Sequence, residues 1–457
     1  MSSHEEEIDL ASRVPLPASS STLHLEPTSS LNESALPPTD KGSGAWSFLA
    51  AAFVVEAVVW GFPNAYGVFL DSYLQDPRFS SQQSATSLLP LIGTLSTGII
   101  YCSGPFINPI AARYPQHRRK SMWFGAALCC ATLFAASYAT KVVQNSLLYL
   151  PCISYMSEWF VARRGIANGI LFAGTAVGGL LLPLILPPLI SRYGSSSTLR
   201  ILSISIAVLL IPLLPFVKGR LPLSRVNVHG PVPRGASTSQ SWMKNRMFLL
   251  FLVANTMQSF AYFVPIVYLP TFASDLRVSS SNSAATLALL NGASVVGRLS
   301  MGYLSDKINP WILALSSLLT TSVITFILWG VLSHSLPGLL AFGLAYGSSA
   351  GGWSSLWTSF VQPLAKDDPG LSTTLYGYLL LSRGIGNIVS TPISAKLYSM
   401  ANNVTGEMHA HGSTGFTVGE GRFEKMIIYV GTCFAGAAVI AVLGWAMDRK
   451  TGWSQRV

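Results

Sequence analysis

The chain has 457 residues, of which 50% are hydrophobic and only 11% are charged. Because soluble domains carry about 25% charged residues, this composition excludes an ordinary water-soluble globular protein and indicates a lipid environment. The net charge of +10 does not indicate nucleic-acid binding, since the basic residues lie in short clusters between apolar runs and not in a basic groove with aromatic residues.

The first 45 residues differ from the rest of the chain. They are rich in Ser, Pro and Glu and contain the acidic run Glu5-Glu6-Glu7. A stretch with so few apolar side chains cannot bury enough surface to offset the entropy lost on ordering. It also lacks the basic start and the apolar centre of a signal peptide. We therefore expect a disordered cytosolic tail over residues 1–45.

Twelve apolar runs follow, and most are long enough to cross the hydrocarbon core of a bilayer as an α-helix. They fall at roughly 46–70, 87–111, 121–140, 145–160, 165–190, 199–217, 246–272, 283–303, 310–332, 336–362, 371–399 and 424–447. The fourth run is the weak member, because it is short and contains Pro151 and Glu158. The sequence predicts an all-α membrane protein with about twelve transmembrane helices, the fourth of them shortened.

A basic linker rich in Pro and Ser separates six runs from six. It predicts an N-terminal six-helix bundle over 46–217, a cytosolic interdomain loop over 218–245 and a C-terminal six-helix bundle over 246–447. A short cytosolic tail over 448–457 follows. Loops rich in Lys and Arg stay in the cytosol, and the heavy basic clusters fall on one side only if every run crosses. We therefore expect both termini in the cytosol and place the protein in the plasma membrane.

Arg298 lies within the eighth predicted span, where an ionised side chain costs several kcal/mol unless it faces a partner or a wet cavity. Asn291 and Ser294 precede it at spacings that put all three on one helix face. A guanidinium group on such a face can bind a carboxylate through two parallel hydrogen bonds. The alternative is a structural arginine that pairs with a neighbouring helix.

Arg383 lies within the eleventh predicted span and shares a face with Tyr376, seven residues earlier, and with Asn387. A structural ion pair and contact with a solute are both open for this residue. Tyr262 belongs to a polar stripe of the seventh span with Asn255 and Ser259, and such stripes often serve interhelical hydrogen bonds. We include Tyr262 and Tyr376 among the candidate solute contacts.

Glu56 lies within the first span and is aligned with Trp60 and Asn64 at four-residue intervals. A lone carboxyl group in a helix bundle suits a residue that takes up and releases a proton, and Glu56 is the candidate for proton coupling. The alternative is a neutral, hydrogen-bonded acid that fills a helix contact. Asn64 is a further candidate solute contact.

Glu158 ends the fourth span close to Arg163 and Arg164, which suits a gating or a structural salt bridge. The sequence contains no P-loop, no HExxH and no GxSxG, so it does not predict an enzyme or a cofactor. All five cysteines fall in apolar runs without metal-ligand spacing, and no metal site is predicted.

Two motifs resemble a known family. Residues 159–169, WFVARRGIANG, resemble the fifth-helix signature of the monocarboxylate transporter family of the major facilitator superfamily. Residues 302–307, GYLSDK, resemble the superfamily's conserved loop, which implies a gating role for Asp306. The segments WGFPN at 60–64 and YCSGP at 101–105 look like the fungal branch. The resemblance implies two six-helix halves that alternate access to a central cavity, with Arg298 as the substrate arginine.

Three departures bear on the activity. Relatives that move lactate with a proton have an aspartate at the position of Ser294 and a lysine at that of Asn64, and their fourth helix is longer. We expect a secondary transporter of a small organic solute, a monocarboxylate or another organic anion, with a proton as possible co-substrate. A non-transporting receptor or partner subunit on the same fold, and an exporter of a larger metabolite, are the alternatives.

Overall fold

The computed structural model describes residues 42–75, 85–136, 164–218, 241–365, 369–401 and 414–451. Within these ranges helices are the only regular secondary structure, which confirms the predicted all-α architecture. Eleven of the twelve predicted spans coincide with described helices. The fourth predicted span, 145–160, and the predicted tail up to residue 41 lie outside the described residues.

The first half of the chain forms four described helices. They are α1 (Ser43–Gln75), α2 (Ala85–Arg113), α3 (Arg118–Ala136) and α4 (Arg164–Leu213). The helix α4 contains the fifth and the sixth predicted spans, and the backbone leaves helical geometry between them at Gly194, with φ 75° and ψ 165°. Glycine adopts a positive φ with little strain, so this residue turns the chain from one span into the next.

The second half forms seven described α-helices. They are α5 (Arg246–Asp275), α6 (Ser280–Ser305), α7 (Pro310–Ile324), α8 (Leu336–Ala350), α9 (Trp357–Ala365), α10 (Pro369–Ala401) and α11 (Glu424–Thr451). A π-helix, Thr325–Leu332, continues α7, and a 3-10 segment, Gly351–Leu356, joins α8 to α9. The sequence predicted one uninterrupted helix over 336–362, so the 3-10 segment is a correction to that boundary.

Side-chain caps fix where the helices of the second half begin. The amide oxygen of Asn245 accepts from the backbone N–H groups of Met247 at 3.0 Å and Phe248 at 3.2 Å. Ser279 caps α6 in the same way, and Asn309 caps α7 directly before Pro310. These side chains satisfy N–H groups that have no partner within the helix, and proline at the first helical position has no N–H to satisfy.

The two predicted cytosolic segments beside the second half are more structured at their inner ends than the sequence indicated. Ser241–Lys244 forms a 3-10 turn, and Trp242 within it is buried with its ring centroid 4.7 Å from that of Tyr378. The helix α11 extends to Thr451, and Asp448 is buried and accepts a 2.6 Å hydrogen bond from Asn309. Residues 219–240 of the predicted interdomain loop lie outside the described residues.

Helices from the two halves of the chain pack directly on one another. The most extensive contacts join α1 to α4, α2 to α10 and α4 to α6, and α1 also lies against α5. Large apolar side chains face outward, including Leu184, Val208, Val253, Val296 and Val439, each at least half exposed. Six described helical segments are long and apolar enough to cross a membrane. An apolar exterior of this kind requires lipid around it.

Candidate functional site

A buried cavity of about 20 Å³ lies between helices from both halves of the chain. Its lining residues are Trp60 and Asn64 of α1, Tyr101 of α2, Phe172 and Thr175 of α4, Tyr262 and Phe263 of α5, Arg298 of α6, Ser354 of the 3-10 segment, Trp357 of α9 and Arg383 of α10. A volume of this size holds little more than one water molecule. The described helices therefore leave little free space at this site in this conformation.

Arg298 reaches the cavity from α6 and is only 5% exposed. Its Nη1 donates to the carbonyl oxygen of Phe172, its Nε to that of Gly351 at 3.2 Å, and its Nη2 to the hydroxyl of Tyr262 at 3.4 Å. All three side-chain nitrogens thus have a partner, and two of the partners are backbone carbonyls. Arg298 joins α4 to the 3-10 segment while its guanidinium group lines the cavity.

Arg383 reaches the same cavity from α10 and is 4% exposed. Its Nε donates to the hydroxyl of Tyr101 at 3.3 Å and its Nη1 to the amide oxygen of Gln258 at 3.1 Å. Its Nη2 has no hydrogen-bond partner among the described residues. Unlike Arg298, it makes no described hydrogen bond to a backbone carbonyl, so its side chain is held by other side chains.

Asn64 and Tyr262 also line the cavity, as the sequence predicted. The amide nitrogen of Asn64 donates to the carbonyl oxygen of Thr175 at 3.2 Å, which ties α1 to α4. The backbone carbonyl of Tyr262 accepts a 3.0 Å hydrogen bond from the hydroxyl of Tyr346. Four predicted solute contacts, Asn64, Tyr262, Arg298 and Arg383, therefore meet around one cavity.

The other three predicted solute contacts are not among the residues that line it. Asn291 and Ser294 donate to backbone carbonyls of their own helix at 3.1 Å and 3.0 Å. Such local bonds compete with contacts across a cavity for short polar side chains. The hydroxyl of Tyr376 lies against Thr358 at 2.9 Å and Asn168 at 3.1 Å. A role for these three residues in solute binding stays a prediction.

Glu56 is 1% exposed and lies where α1 packs against α4, outside the lining of the cavity. Neither carboxyl oxygen has a hydrogen-bond partner among the described residues. Arg298 is near enough for its charge to act on this carboxyl group. A buried carboxyl group with no well-formed hydrogen bond is costly to ionise, and the described groups that favour its ionised form are Arg298 first and the hydroxyl of Thr175 second.

The structure describes only part of the predicted gate. Asp306 caps the C-terminal end of α6 and is exposed at the turn that leads to α7. Arg164 is the first residue of α4, and nothing is described of its side chain. Glu158 and Arg163 lie outside the described residues. The gating role of these four residues stays a prediction.

Aromatic side chains form much of the cavity wall and were absent from the residues predicted to bind solute. They are Trp60, Tyr101, Phe172, Phe263 and Trp357. Trp60 lies one helical turn before Asn64, so the sequence already placed these two residues on one helix face. The other four carry no comparable signal, because an aromatic residue that faces a cavity has the same periodicity as one that fills a core.

A family model described as the Major Facilitator Superfamily matches residues 142–391, which is more than half of the chain. The chain belongs to the Major Facilitator Superfamily. This family identifies it as a membrane-spanning transporter and confirms the expectation of a solute carrier at that level. The assignment to the monocarboxylate transporter-like branch stays a prediction.

Curated relatives of this Major Facilitator Superfamily protein match it over most of its length. The MFS-type transporter hasB of Aspergillus fumigatus is 28% identical over 402 residues, which cover 82% of this chain and 88% of the relative. The Fujikurins efflux protein of Gibberella fujikuroi is 25% identical over 420 residues, with coverage of 88% and 83%. The solved D-xylose-proton symporter superimposes with a TM-score of 0.63 at 15% identity, covering 87% of this chain and 97% of that chain. At this identity the symporter shows the fold alone.

Proposed function

We propose that this transporter exports an organic anion with a large apolar body by alternating access. The observation that carries the proposal is the meeting of two guanidinium groups, Arg298 from α6 and Arg383 from α10, on one cavity whose walls are otherwise largely aromatic. Buried cations are costly, and a carrier retains them where an anionic solute supplies the missing charge.

The lining of the cavity favours a larger anion over a compact monocarboxylate such as lactate. Six aromatic rings surround the two arginines, and they gain from contact with apolar surface of a solute. The name of the Gibberella fujikuroi relative, an efflux protein, supports movement out of the cell. In the proposal the protein works in the plasma membrane with both termini in the cytosol.

In this proposal the two arginines bind the anionic group, and Asn64 and Tyr262 contact the solute beside it. Asn291, Ser294 and Tyr376, whose hydrogen bonds go to their own helix or to neighbouring helices, set the positions of those helices. Asp306, Glu158, Arg163 and Arg164 form a latch that closes one side during the cycle.

The proposal assigns the coupling proton to Glu56. The carboxyl group is buried without a well-formed hydrogen bond among the described residues, and Arg298 and the hydroxyl of Thr175 are close enough to act on it. An anion that binds Arg298 offsets the charge that favours ionised Glu56, so arrival of the solute favours protonation of this residue. Solute and proton then bind together and cross in the same direction, so in export the outward gradient of the solute drives the step and carries the proton with it.

The test is exchange of labelled naphthoate across liposomes that contain the purified full-length chain. We expect Arg298→Gln and Arg383→Gln each to lower the exchange rate by about tenfold or more, since each removes a charge-assisted hydrogen bond to the anion. Lys396→Gln is the matched control, because Lys396 is an exposed cation on the same helix as Arg383. Exchange that is unaffected by both arginine changes would refute the proposal.

The proton assignment is tested in the same liposomes with an imposed pH gradient. Glu56→Gln is expected to retain naphthoate exchange and to lose accumulation driven by the gradient, because the amide cannot carry the proton. Glu424→Gln, an exposed acid in the first turn of α11, serves as the control and should retain both. Gradient-driven accumulation by Glu56→Gln would remove Glu56 from the coupling step.

A further inference from the structure

The guanidinium group of Arg383 is enclosed by four aromatic rings. Its central carbon lies 4.5 Å from the ring centre of Tyr262, 5.7 Å from that of Tyr101 and 5.8 Å from those of Phe263 and Trp357. These rings come from α2, α5 and α9, so three helices meet around one cation. A guanidinium group within about 6 Å of a ring centre is attracted by the negative face of that ring.

The cage leaves the charge of Arg383 without a full counter-charge. Among the residues that the structure describes, no carboxylate lies within 4.0 Å of its guanidinium nitrogens. Two of its nitrogens donate to neutral groups, the hydroxyl of Tyr101 and the amide of Gln258, and Nη2 has no described partner. Ring faces and neutral oxygens offset only part of the cost of burying a cation, so the site still favours an anion.

We infer that the Arg383 cage recognises a planar aromatic carboxylate, an organic anion whose apolar body is a flat π system. This inference rests on the proposed function and names the class of solute that the same cavity takes. A planar anion can lie against one of the rings and accept hydrogen bonds from the edge of the guanidinium group at the same time. A saturated acid of equal charge reaches the guanidinium group but stacks poorly on the rings.

Desolvation points to the same class. The cavity is lined by six aromatic residues, and besides the two arginines it offers hydroxyl, amide and indole donors, among them the Nε1–H of Trp357, which has no partner among the described residues. A compact carboxylate would lose its hydration shell on entering and would leave the aromatic walls largely uncovered. A carboxylate on a flat aromatic body also covers those walls, and its faces replace the ring–ring contacts that close the cavity, such as that of Trp60 with Tyr101 at 4.8 Å.

The contrast with Arg298 assigns different tasks to the two cations. Arg298 is fixed by the carbonyl oxygens of Phe172 and Gly351, which leaves its side chain little freedom to follow the shape of a solute. Arg383 is bounded by side chains that can shift with it. In this inference Arg298 supplies positive charge at a fixed point, and the Arg383 cage selects planar solutes over non-planar ones.

The test compares three probes by equilibrium dialysis against the purified full-length protein. They are naphthoate, its saturated analogue decahydronaphthoate, and the uncharged naphthamide. We expect naphthoate to bind about fivefold or more tightly than decahydronaphthoate, because stacking on a ring is available only to the planar acid. Naphthamide should bind about tenfold or more weakly than naphthoate, because it brings no negative charge to the arginines.

Variants of the cage locate the preference. Trp357→Leu removes one ring and should reduce the preference for naphthoate over decahydronaphthoate to within about twofold. Phe263→Leu, a smaller change, repeats the test if Trp357→Leu does not fold. Trp445→Leu is the matched control, because Trp445 faces Arg449 at 5.2 Å on α11, outside the lining of the cavity, and it should keep the full preference.

Each other outcome identifies which claim fails. The role of the cage in selecting planar solutes is overturned if the planar and the saturated acid bind equally. It is also overturned if Trp357→Leu and Phe263→Leu leave the preference unchanged. The proposed function is unaffected by either result. Binding of neither acid, or equal binding of naphthoate and naphthamide, overturns the proposed transport of an organic anion itself.

Discussion

Two helix interfaces flank the cavity and are built from different contacts. Where α4 meets α6, the backbones approach closely, and a Cβ atom added at Gly169 would lie 2.9 Å from the carbonyl oxygen of Arg298. Where α2 meets α10, Gly384 also allows a close approach to the backbone of Cys102, but at the level of Thr94 polar side chains form the contact. The hydroxyl of Thr391 donates to that of Thr94 at 2.6 Å, and Asn387 donates to the hydroxyl of Thr97.

The α2–α10 interface also has space beside it that the α4–α6 contact lacks at Gly169. A second cavity, of about 10 Å³, lies beside this interface. Phe263, Thr94, Asn387 and Thr391 are among the residues that line it. The amide oxygen of Asn387 is buried there without a partner among the described residues. A polar atom in such a cavity is a ready partner for water.

The difference between the contacts at Gly169 and at Thr94 is that backbone packing holds the first and exchangeable hydrogen bonds hold the second. If the helices separate, no other group replaces the backbone contact at Gly169. Water can replace the hydrogen bonds between hydroxyl groups at small cost. A transporter has to open its cavity, and we expect α2 and α10 to separate more readily than α4 and α6. Three experiments follow from this account, in order of decreasing effect.

Gly169→Ala is expected to have the largest effect. The new methyl group would press on the backbone of α6, which cannot move aside as a flexible side chain can, so the free energy of unfolding should fall by about 1–3 kcal/mol. Gly436→Ala is the control, because its methyl group would meet only the end of Met257 at 3.1 Å, and alanine favours a helix. Thermal unfolding in detergent measures both, and equal behaviour of the two variants would contradict a shape-held α4–α6 contact.

A double-mutant cycle of Thr94→Val and Thr391→Val is expected to show a smaller effect. The coupling between the two hydroxyl groups should be about 0.6 kcal/mol, the average for interhelical hydrogen bonds in membrane proteins. Thr94→Val combined with Thr432→Val is the control and should show no coupling, since Thr432 lies on the exposed face of α11 and bonds to its own helix. A coupling above about 2 kcal/mol would mean that the α2–α10 contact is not readily exchanged.

Ser294→Ala should have the smallest effect. The hydroxyl group of Ser294 bonds to the carbonyl of Leu290 on its own helix and does not line the cavity, so we expect a change in the free energy of unfolding within about 0.5 kcal/mol. Naphthoate exchange should stay near that of the unmodified protein. A strong loss of exchange would indicate that Ser294 contacts the solute. The face of α6 would then have a role in solute binding beyond positioning Arg298.

The fold was predictable because transmembrane helices are recognised from the length and apolar composition of their sequence runs. Eleven predicted spans coincide with described helices. The sequence did not predict the 3-10 segment at Gly351–Leu356, since the hydropathy of that stretch resembles that of a continuous helix. The segment begins where the chain packs closely against α6, because a Cβ atom at Gly351 would lie 2.5 Å from the hydroxyl oxygen of Ser294. Contacts between helices far apart in the chain are not readable from one sequence.

Only part of the candidate site was predicted, again because contacts between helices far apart in the chain are not readable from one sequence. Charged residues in apolar runs stand out, so Arg298 and Arg383 were found, and the sequence favoured Arg298. In the structure Arg298 is the more tightly bonded of the two, while Arg383 retains a nitrogen without a described partner. That distinction depends on which carbonyl groups and rings surround each side chain, and spacing along the chain does not encode it.

The most direct measurement of the central claim is a crystal structure of the protein grown with bromo-naphthoate, in which anomalous scattering locates the bromine atom. The account predicts bromine between α2, α5 and α10, with the carboxylate at hydrogen-bond distance, about 3 Å, from the guanidinium group of Arg383, and a cavity enlarged beyond the present one. Bromine found only on the lipid-facing surface, with Arg383 still enclosed by its four rings, would contradict it.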